Sequence, residues 1–330
     1  MSGATAVAGA PLLDVQGLNV SFAVRHAGRN LRLRALHDVS LQLASAEALG
    51  VVGESGSGKS TLARALLRLV PADNGRVQLH GTDLLALHGN GLQAARARLQ
   101  MIFQDGIAAL DPRQRIGDVL EEPLRALRPE LPAAARRERT LGMLARVGLE
   151  PQHLLRYPHE LSGGQAQRIG IARALIVSPE LLVCDEPLSS LDVSIKTQIT
   201  TLFLELRRQL GLSLIFIAHD LPAVQVLCDR VLVLYLGRVM ETAPRAALFS
   251  HPRHPYTRAL LQSVPVPEPR IARQRRTPPL FGELPSALFP PSGCVFRTRC
   301  PMAIERCAQE LPLPRSVGES QVACHRAGEL

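Results

Sequence analysis

The chain contains no tryptophan, and aromatic residues make up only 3% of its 330 positions. Proteins that hold single-stranded nucleic acid stack bases on aromatic side chains, so this composition argues against that class. The formal net charge of +9 would suit nucleic acid, an anionic membrane or anionic nucleotides, but a solvated Arg-rich surface accounts for it more simply. No helix-turn-helix, zinc-finger or RNA-recognition pattern stands out. We therefore expect no nucleic-acid partner.

Long hydrophobic runs are also missing. The longest apolar runs, at residues 214–218 and 231–236, are far shorter than the roughly 20 residues that cross a bilayer. The first residues lack the basic start of a secretory signal. We expect a cytosolic chain whose cysteines are reduced. Its hydrophobic content of 46% is sufficient for a folded core, and we find no internal repeat.

The first hundred residues predict an α/β unit beside a β-hairpin. Residues 12–22 and 33–43 alternate in polarity, as strands do, and a polar, basic loop is expected between them at Arg25–Arg32. The apolar run from Glu47 to Gly53 is typical of a buried strand. A helix is expected next, from Gly58 to Leu69.

The middle of the chain changes pattern twice. Residues 105–175 are mostly helical in periodicity, with prolines as breakers, which predicts an inserted helical subdomain. Strand-like runs then recur at residues 181–184, 214–218 and 231–236, with a helix near residues 195–210 between the first two. This alternation predicts a partly parallel sheet.

After about residue 245 the composition shifts to a proline-rich segment with few periodic runs, which indicates a separate module. The prolines are Pro252, Pro255, Pro265, Pro267, Pro269, Pro278, Pro279, Pro285, Pro290 and Pro291. Four of the six cysteines fall in the last 37 residues, spaced C-x5-C-x6-C-x16-C. The other two, Cys184 and Cys228, each close an apolar run and are expected to be core residues.

A glycine-rich loop follows the buried strand and fits the phosphate-binding pattern G-x-x-x-x-G-K-[ST]. Its residues are Gly53, Glu54, Ser55, Gly56, Ser57, Gly58, Lys59, Ser60 and Thr61. In such a loop the backbone N–H groups turn toward phosphate oxygens, the lysine reaches the β- and γ-phosphates, and the hydroxyl after it ligates Mg²⁺. We therefore predict a nucleoside triphosphate site at this loop.

The second half of such a site should be an apolar strand that ends in acids. Residues 181–186, LLVCDE, supply it. Asp185 is predicted to hold Mg²⁺ through water, and Glu186 to orient or deprotonate the attacking water.

A second glycine-rich turn, LSGGQ at residues 161–165, precedes a helical run at residues 166–176. Four other features accompany this turn: the phosphate loop, Gln104 in MIFQD, the SSLDVS segment at residues 189–194 and His219 in IAHD. With these features, residues 11–245 resemble the ATP-binding subunit of an ABC transporter. The resemblance implies an α/β P-loop NTPase fold: an ABC nucleotide-binding domain with an antiparallel β edge, an inserted α-helical subdomain at about residues 105–175, and a small Cys-containing C-terminal extension.

The same resemblance implies roles for single residues. Gln104 would contact Mg²⁺ and water and relay to a transmembrane subunit, His219 would hold the γ-phosphate, and Phe22 would stack on adenine, although a strand Phe is more often a core residue. Asp192 would lie in a loop that contacts a partner. The γ-phosphate of ATP held by another ATPase subunit would be capped by Ser162, Gly163, Gly164 and Gln165.

The C-terminal motifs resemble the oligopeptide/dipeptide importer branch of that family, and most closely the second of its two ATPase subunits. These motifs are HPRHPYTRALLQSVP at residues 251–265, GELPSALFPPSGCVFRTRCP at residues 282–301 and YPHELSGGQ at residues 157–165. We expect an ATPase domain at residues 11–250 and an extension at residues 251–330. The implied partners are a homologous second ATPase, two transmembrane permeases and an extracytoplasmic peptide-binding protein, at the cytoplasmic face of the cell membrane.

Other functions stay open at this point. Relatives with the same tail import other small solutes, such as nickel or glutathione. A soluble ABC ATPase that acts on DNA or ribosomes is disfavoured, because those relatives carry two cassettes or a long coiled-coil insertion. An iron–sulfur redox or sensor protein with a regulatory ATPase ranks last, because nothing near the cysteines indicates an electron partner.

In this branch the tail cysteines Cys294, Cys300, Cys307 and Cys324 look like ligands of a [4Fe–4S] cluster. Zinc, held by the four cysteines or with His325, and free or disulfide-bonded thiols are the alternatives, since the spacing lacks C-x2-C knuckles. A cluster would fold a segment that buries little core of its own. The nearby arginines Arg297, Arg299, Arg306 and Arg326 are expected to be solvated.

Overall fold

The structure is a computed structural model that describes residues 10–189, 191–263 and 282–329. The first nine residues, Ser190 of the SSLDVS segment, and five prolines of the predicted proline-rich segment lie outside the described residues. Those prolines are Pro265, Pro267, Pro269, Pro278 and Pro279.

The strands of the described chain are β1 (Leu13–His26), β2 (Arg29–Leu43), β3 (Ala48–Val52), β4 (Asn74–Leu79), β5 (Thr82–Asp83), β6 (Leu99–Ile102), β7 (Leu181–Asp185), β8 (Ser213–Ile217), β9 (Arg230–Tyr235), β10 (Arg238–Pro244), β11 (Arg315–Val317) and β12 (Ser320–Val322). The helices are α1 (Lys59–Leu66), α2 (Gly89–Arg98), α3 (Ile116–Leu127), α4 (Ala133–Arg146), α5 (Gly163–Leu175), α6 (Val193–Leu210), α7 (Leu221–Leu227), α8 (Arg245–Ser250), α9 (Pro255–Gln262) and α10 (Arg306–Gln309).

A four-stranded antiparallel sheet in the order β2-β1-β4-β5 forms one edge of the molecule. The expected hairpin is confirmed, but the expected loop at Arg25–Arg32 is wrong. Both strands continue through the basic residues, to His26 and from Arg29, and the turn contains only Ala27 and Gly28. Charged side chains do not end a strand that has a solvent-facing side, because its outward positions prefer polar residues.

An eight-stranded sheet in the order β11-β12-β10-β9-β3-β8-β7-β6 carries the centre of the fold. The strands from β9 to β6 run parallel, and β10, β12 and β11 continue the sheet as antiparallel strands. The predicted, partly parallel sheet is therefore confirmed. The carboxyl ends of β3, β7 and β8 meet at one edge, where parallel α/β sheets place their ligands.

Strand β3 divides two hydrophobic cores. All five of its residues are buried, as expected for a parallel strand covered on both faces. Ala48 and Val52 belong to the core shared with the helical subdomain, whereas Leu49 and Val51 belong to the core beneath the antiparallel sheet. Cys184 and Cys228 are buried in the first core, as the sequence predicts.

The segment expected to form a helical subdomain contains α3, α4 and α5. The prediction that its prolines break helices is only partly right. Pro132 directly precedes α4, whereas Pro123 lies inside α3. Apolar burial of Val119, Leu120 and Leu124 holds that helix together around the proline, and packing commonly overrides propensity.

The C-terminal extension packs on the ATPase body and shares its sheet. Strand β12 pairs with β10 through Glu241 and Thr242. Phe296 is buried against Tyr235 and Tyr256, with ring centroids 5.4 and 5.3 Å away. The expectation that this segment buries little core is therefore wrong, because its apolar residues use the body as their partner.

No helix in the described part of the chain is long and apolar enough to cross a membrane.

Candidate active site

The phosphate-type loop occupies residues 53–58, between the end of β3 and the start of α1. Gly58 adopts a φ of +104°, and a Cβ atom built on it would lie 2.6 Å from the carbonyl oxygen of Ala35. Only glycine fits at that point without displacing the β2 backbone. The loop is thus held tightly against the antiparallel sheet, and the first turn of α1 faces the cavity.

Lys59 is buried at the centre of the loop. Its Nζ donates to the carbonyl oxygens of Gly53 and Glu54, at 2.8 and 2.9 Å, and lies 3.9 Å from a carboxylate oxygen of Glu186. Burial lowers the pKa of the Lys59 amine, and the negative charges of Glu186, Asp185 and Glu54 oppose that shift. The Lys59 ammonium is therefore hydrogen-bonded to carbonyl oxygens of its own loop. The oxygens of an anionic ligand could replace those carbonyls as its hydrogen-bond acceptors.

Ser60 and Asp185 lie side by side at the carboxyl end of the parallel sheet. Ser60 Oγ donates to Asp185 Oδ1 at 2.9 Å. Burial raises the pKa of the Asp185 carboxyl, while the Ser60 hydrogen bond lowers it. Two adjacent oxygen donors, one a carboxylate, are the ligand type that Mg²⁺ prefers beside substrate phosphates. The donor set fits that ion.

Glu186 directly follows β7 in the left-handed backbone region, with a φ of +47°. Its backbone N–H donates to Ile217 of the neighbouring strand at 2.9 Å, which fixes this conformation. Its Oε2 atom accepts from Gln104 Nε2 at 3.2 Å and lies 3.3 Å from His219 Nδ1. Three separated segments thus meet at one carboxylate that is only 16% exposed. A strained non-glycine residue of this kind is typical of functional sites.

Several of these groups border a cavity of about 320 Å³, but Asp185 and His219 are not among the residues that line it. Ser55, Lys59, Gln104 and Glu186 line one side of it, and half-buried Phe22 lies on the hairpin side. A wider cleft of about 580 Å³ lies between α7 and the segment around α8 and α9, but it contains none of the residues predicted to bind nucleotide or Mg²⁺. The smaller cavity is therefore the candidate site, because a site is identified by the reactive and charged side chains that line it and not by its volume.

Some lining residues carry no nucleotide-binding signal and were not predicted as site residues. They are Leu33, Arg34, Ala35, Leu236, Gly237 and Ala287. No periodicity or spacing marks them, since they reach the cavity only through the hairpin fold, the turn between β9 and β10, and the C-terminal extension.

The LSGGQ turn lies elsewhere. Ser162 is the N-cap of α5: its Oγ accepts from Gln165 N at 3.3 Å, while its own N–H donates to Gln165 Oε1 at 3.0 Å. A Cβ atom on Gly164 would lie 2.9 Å from Ile195 of α6. Ser162 and Gly163 are exposed, and this turn does not line the cavity beside Lys59. Asp192 is also exposed, at the start of α6.

The four tail cysteines are neighbours in the extension. Cys294 and Cys307 are buried, Cys300 and Cys324 are half-buried, and Cys294 N–H donates to the Cys307 carbonyl at 2.8 Å. Burial, with a smaller contribution from the other three thiols, raises the pKa of Cys294 to about 11. All six cysteines are free.

The arrangement of these thiols does not by itself form a metal site. Across residues 10–189, 191–263 and 282–329, no three or more His, Cys, Asp or Glu side chains are gathered to hold a metal ion. The structure therefore gives no support to the iron–sulfur or zinc expectation. The extension already has an apolar core without a metal.

Arg299 corrects another expectation, because it is not solvated. Its side chain is only 6% exposed and forms a two-point ion pair with Glu54 of the phosphate loop, at 2.6 and 3.0 Å. An Arg next to a cysteine gives no sequence signal for a partner 245 residues away.

Comparison with known proteins agrees with this site. Residues 36–189 match the family model described as ABC transporter, and residues 240–307 match that described as oligopeptide/dipeptide transporter, C-terminal region. The chain is 48% identical over 324 residues to the oligopeptide transport ATP-binding protein OppF of Salmonella typhimurium, with 97% of each chain covered. It is also 48% identical to a putative peptide import ATP-binding protein of Brucella ovis, over 93% of this chain and 95% of that one.

The fold has close counterparts among solved structures. A dimeric ATP-binding cassette in a post-hydrolysis state, bound to ADP and Pi, superposes with a TM-score of 0.64 at 26% identity, covering 71% of this chain and 98% of that chain. The α/β fold with a phosphate loop is thus that of an ATP-binding cassette, as the motifs predict. This protein belongs to the ATP-hydrolysing, ATP-binding subunits of ABC transporters, in the oligopeptide/dipeptide transporter branch.

Proposed function

We propose that this chain binds Mg-ATP in the cavity beside Lys59 and that ATP hydrolysis there powers import of dipeptides or oligopeptides across the cytoplasmic membrane. One observation carries the ATPase part: Lys59, Ser60 and Glu186 line a single cavity at the carboxyl edge of the parallel sheet, and Asp185 accepts a hydrogen bond from Ser60 there. The peptide part is supported by identity of 48% to an oligopeptide transport ATP-binding protein over nearly the whole chain.

In this proposal the loop residues cradle the phosphates. Backbone N–H groups among residues 55–61 would donate to the phosphate oxygens, and Lys59 would exchange its bonds to the loop carbonyls for bonds to the β- and γ-phosphates. Phe22 provides an apolar face for the adenine ring, because it lies on the hairpin side of the same cavity. Lys59 then has hydrogen-bond acceptors both with and without ATP, so ATP binding does not leave a buried charge unpaired.

Ser60, Asp185 and Gln104 would hold Mg²⁺. When bound, the ion neutralises charge that develops on the phosphate oxygens. Glu186 accepts a proton from the attacking water, and Gln104 and His219, which already contact its carboxylate, orient that water and the γ-phosphate.

LSGGQ would complete a site on another ATPase subunit. Ser162, Gly163, Gly164 and Gln165 lie away from this chain's own cavity, and a helix N-terminus with free N–H groups suits a phosphate. We propose that two homologous ATPase subunits close head to tail around two ATP molecules, and that hydrolysis reopens them. The isolated chain should then be nearly inert.

The proposed assembly contains this chain, a second and different ATPase subunit, two transmembrane permeases and an extracytoplasmic peptide-binding protein, with this chain at the cytoplasmic face of the membrane. Asp192, exposed at the start of α6, belongs to the partner-contacting loop. Within the chain we propose an ATPase domain at residues 11–250 and an extension at residues 251–330. Two family models match separate parts of the chain, residues 36–189 and 240–307, which supports two units; the second match begins before the proposed boundary.

The test is to express the chain from its native promoter, purify it from detergent-extracted membranes and identify the proteins that co-purify with it. Two polytopic subunits and a second ATPase should co-purify, and the ATPase rate of the complex should rise when peptide-loaded binding protein is added. Lys59→Met should remove that rate. Recovery with ribosomes or nucleic acid would overturn the proposal, and stimulation only by nickel or glutathione would replace the peptide by another solute.

We propose the [4Fe–4S] cluster as a separate property with no part in ATP chemistry. Its support comes from the sequence, in which four of the six cysteines, Cys294, Cys300, Cys307 and Cys324, fall in the last 37 residues. In the described residues these thiols are not gathered to hold a metal ion, so they would have to move to act as ligands. Iron and acid-labile sulfide should be present at about four atoms each per chain in anaerobically purified protein. Protein that contains neither element would end this proposal.

A further inference from the structure

An ion pair joins the C-terminal extension to the phosphate loop. Arg299, in the extension, donates from both terminal guanidinium nitrogens to the two carboxylate oxygens of Glu54, at 2.6 and 3.0 Å. Glu54 is the second residue of the loop. A two-point Arg–carboxylate pair fixes orientation as well as distance, so this contact joins the extension to the loop in a defined geometry.

Glu54 also fixes the lysine of the site. Its carbonyl oxygen accepts from Lys59 Nζ at 2.9 Å and from Ser57 N–H at 3.1 Å. Its own backbone N–H donates to Tyr256 Oη at 2.9 Å. Every polar group of Glu54 therefore has a partner, two of which, Arg299 and Tyr256, lie outside the predicted ATPase domain. Holding Glu54 sets the position from which Lys59 reaches into the cavity.

The support behind Arg299 is rigid. Its guanidinium lies 5.9 Å from the ring centroid of Tyr235 and donates to Tyr235 Oη at 3.4 Å. Phe296 packs against both Tyr235 and Tyr256, whose ring centroids lie 4.7 Å apart. Because the Arg299 side chain is only 6% exposed, its charge depends on the pairing with Glu54 for stability.

Charge balance explains why such a pair is needed at this point. The Glu54 carboxylate belongs to a loop that is to receive a polyphosphate, and an unpaired carboxylate there would repel it. Arg299 cancels that charge from outside the cavity. The extension also covers the loop with apolar atoms: Ala287 lines the cavity, and a Cβ atom on Gly56 would lie 3.6 Å from Leu284.

We propose that Arg299 of the C-terminal extension is a positioning residue for ATP: through its ion pair with Glu54 it neutralises the phosphate loop and holds it in the shape that binds the triphosphate. This inference rests on the proposed ATP site. It gives the extension a function at the nucleotide, independent of any metal that its cysteines bind.

The test measures the KM for ATP and kcat in the assembled transporter. Arg299→Met should raise KM about tenfold, equivalent to about 1.4 kcal/mol of binding free energy, with kcat within about twofold, because the loss concerns binding and not the water-activating groups. Arg299→Met with Glu54→Gln should restore KM to within about threefold of the wild-type value, since no unpaired charge is left. Arg297→Met is the matched control. The Arg297 side chain bonds only to Ser292 among the described residues, and the substitution keeps the backbone bond to Cys294, so KM should not change.

A second variant, Arg299→Lys, tests the same inference if Arg299→Met does not fold. Arg299→Lys keeps the charge but loses the two-point geometry, and should raise KM about threefold. An unchanged KM in every folded Arg299 variant would overturn the inference, as would a double variant no better than Arg299→Met. A different result would refute the proposed ATP site itself. If Lys59→Met retained ATPase activity, the proposed function would be wrong, whatever the KM values of the Arg299 variants.

Discussion

Replacement of Glu186 by glutamine tests the assignment of the proton acceptor. The change preserves the size of the side chain and an oxygen that can accept from Gln104, 3.2 Å away. It removes the negative charge and the basicity. The fold should tolerate it, because the backbone of Glu186 is held by Ile217 and not by the carboxylate.

The magnitude follows from the role. A positioned general base contributes about 10² to 10⁴ in rate, equivalent to about 2.7–5.4 kcal/mol of barrier. The Glu186 carboxylate is 16% exposed and lies next to His219 and Gln104, so bulk water is a poor substitute for it. We therefore expect kcat to fall at least about 100-fold while Mg-ATP stays bound.

The assay is phosphate release by the assembled transporter, with nucleotide occupancy measured on the same sample. Glu205→Gln is the matched control, since Glu205 lies exposed on α6, and its rate should equal that of the wild type. A drop of less than about threefold in Glu186→Gln would show that another group accepts the proton. Loss of bound ATP would show that Glu186 serves binding instead.

Three further predictions concern the LSGGQ cap, a buried histidine and the loop glycine. Ser162→Ala removes the cap on Gln165 N and should lower the free energy of unfolding by about 1 kcal/mol, as measured in urea; an unchanged midpoint would contradict the capping role. His254 has a pKa lowered by burial from 6.5 to about 3, so between those values the unfolded chain binds an extra proton and stability should fall with decreasing pH, by up to about 1.4 kcal/mol per unit. His254→Asn, whose side chain can still cap α9, should flatten this dependence in denaturation curves, and an equal slope in both proteins would refute it. Gly58→Ala, with its Cβ 2.6 Å from the Ala35 oxygen, should abolish ATP binding in equilibrium dialysis, and normal binding would show that the loop can shift.

The parallel strands and the phosphate loop could be predicted from sequence because their signals are local. The buried run at residues 181–184 is apolar throughout and is followed by Asp185 and Glu186, and the loop glycines follow a fixed spacing. By contrast, the short strand β6, which positions Gln104, was not recognised in the sequence. Its four residues pair with β7, and a run of four residues is too short for periodicity to identify.

The contacts of the extension could not be predicted, since they join residues far apart in sequence. Nothing near Arg299 indicates Glu54 as its partner, and the aromatic core of Tyr235, Tyr256 and Phe296 draws one residue from each of three distant segments. From its composition, the C-terminal extension was predicted to bury little core of its own. The structure shows that its few apolar side chains suffice, because the body supplies the rest of the core.

The most direct test of the central claim is uptake of a radiolabelled oligopeptide into proteoliposomes that contain the complete complex, with binding protein and ATP supplied on their respective sides. The account predicts uptake that requires ATP, stops with a non-hydrolysable analogue and is lost in Glu186→Gln but not in Glu205→Gln. Uptake that continues without hydrolysis, or a complex that hydrolyses ATP yet moves no peptide, would contradict it.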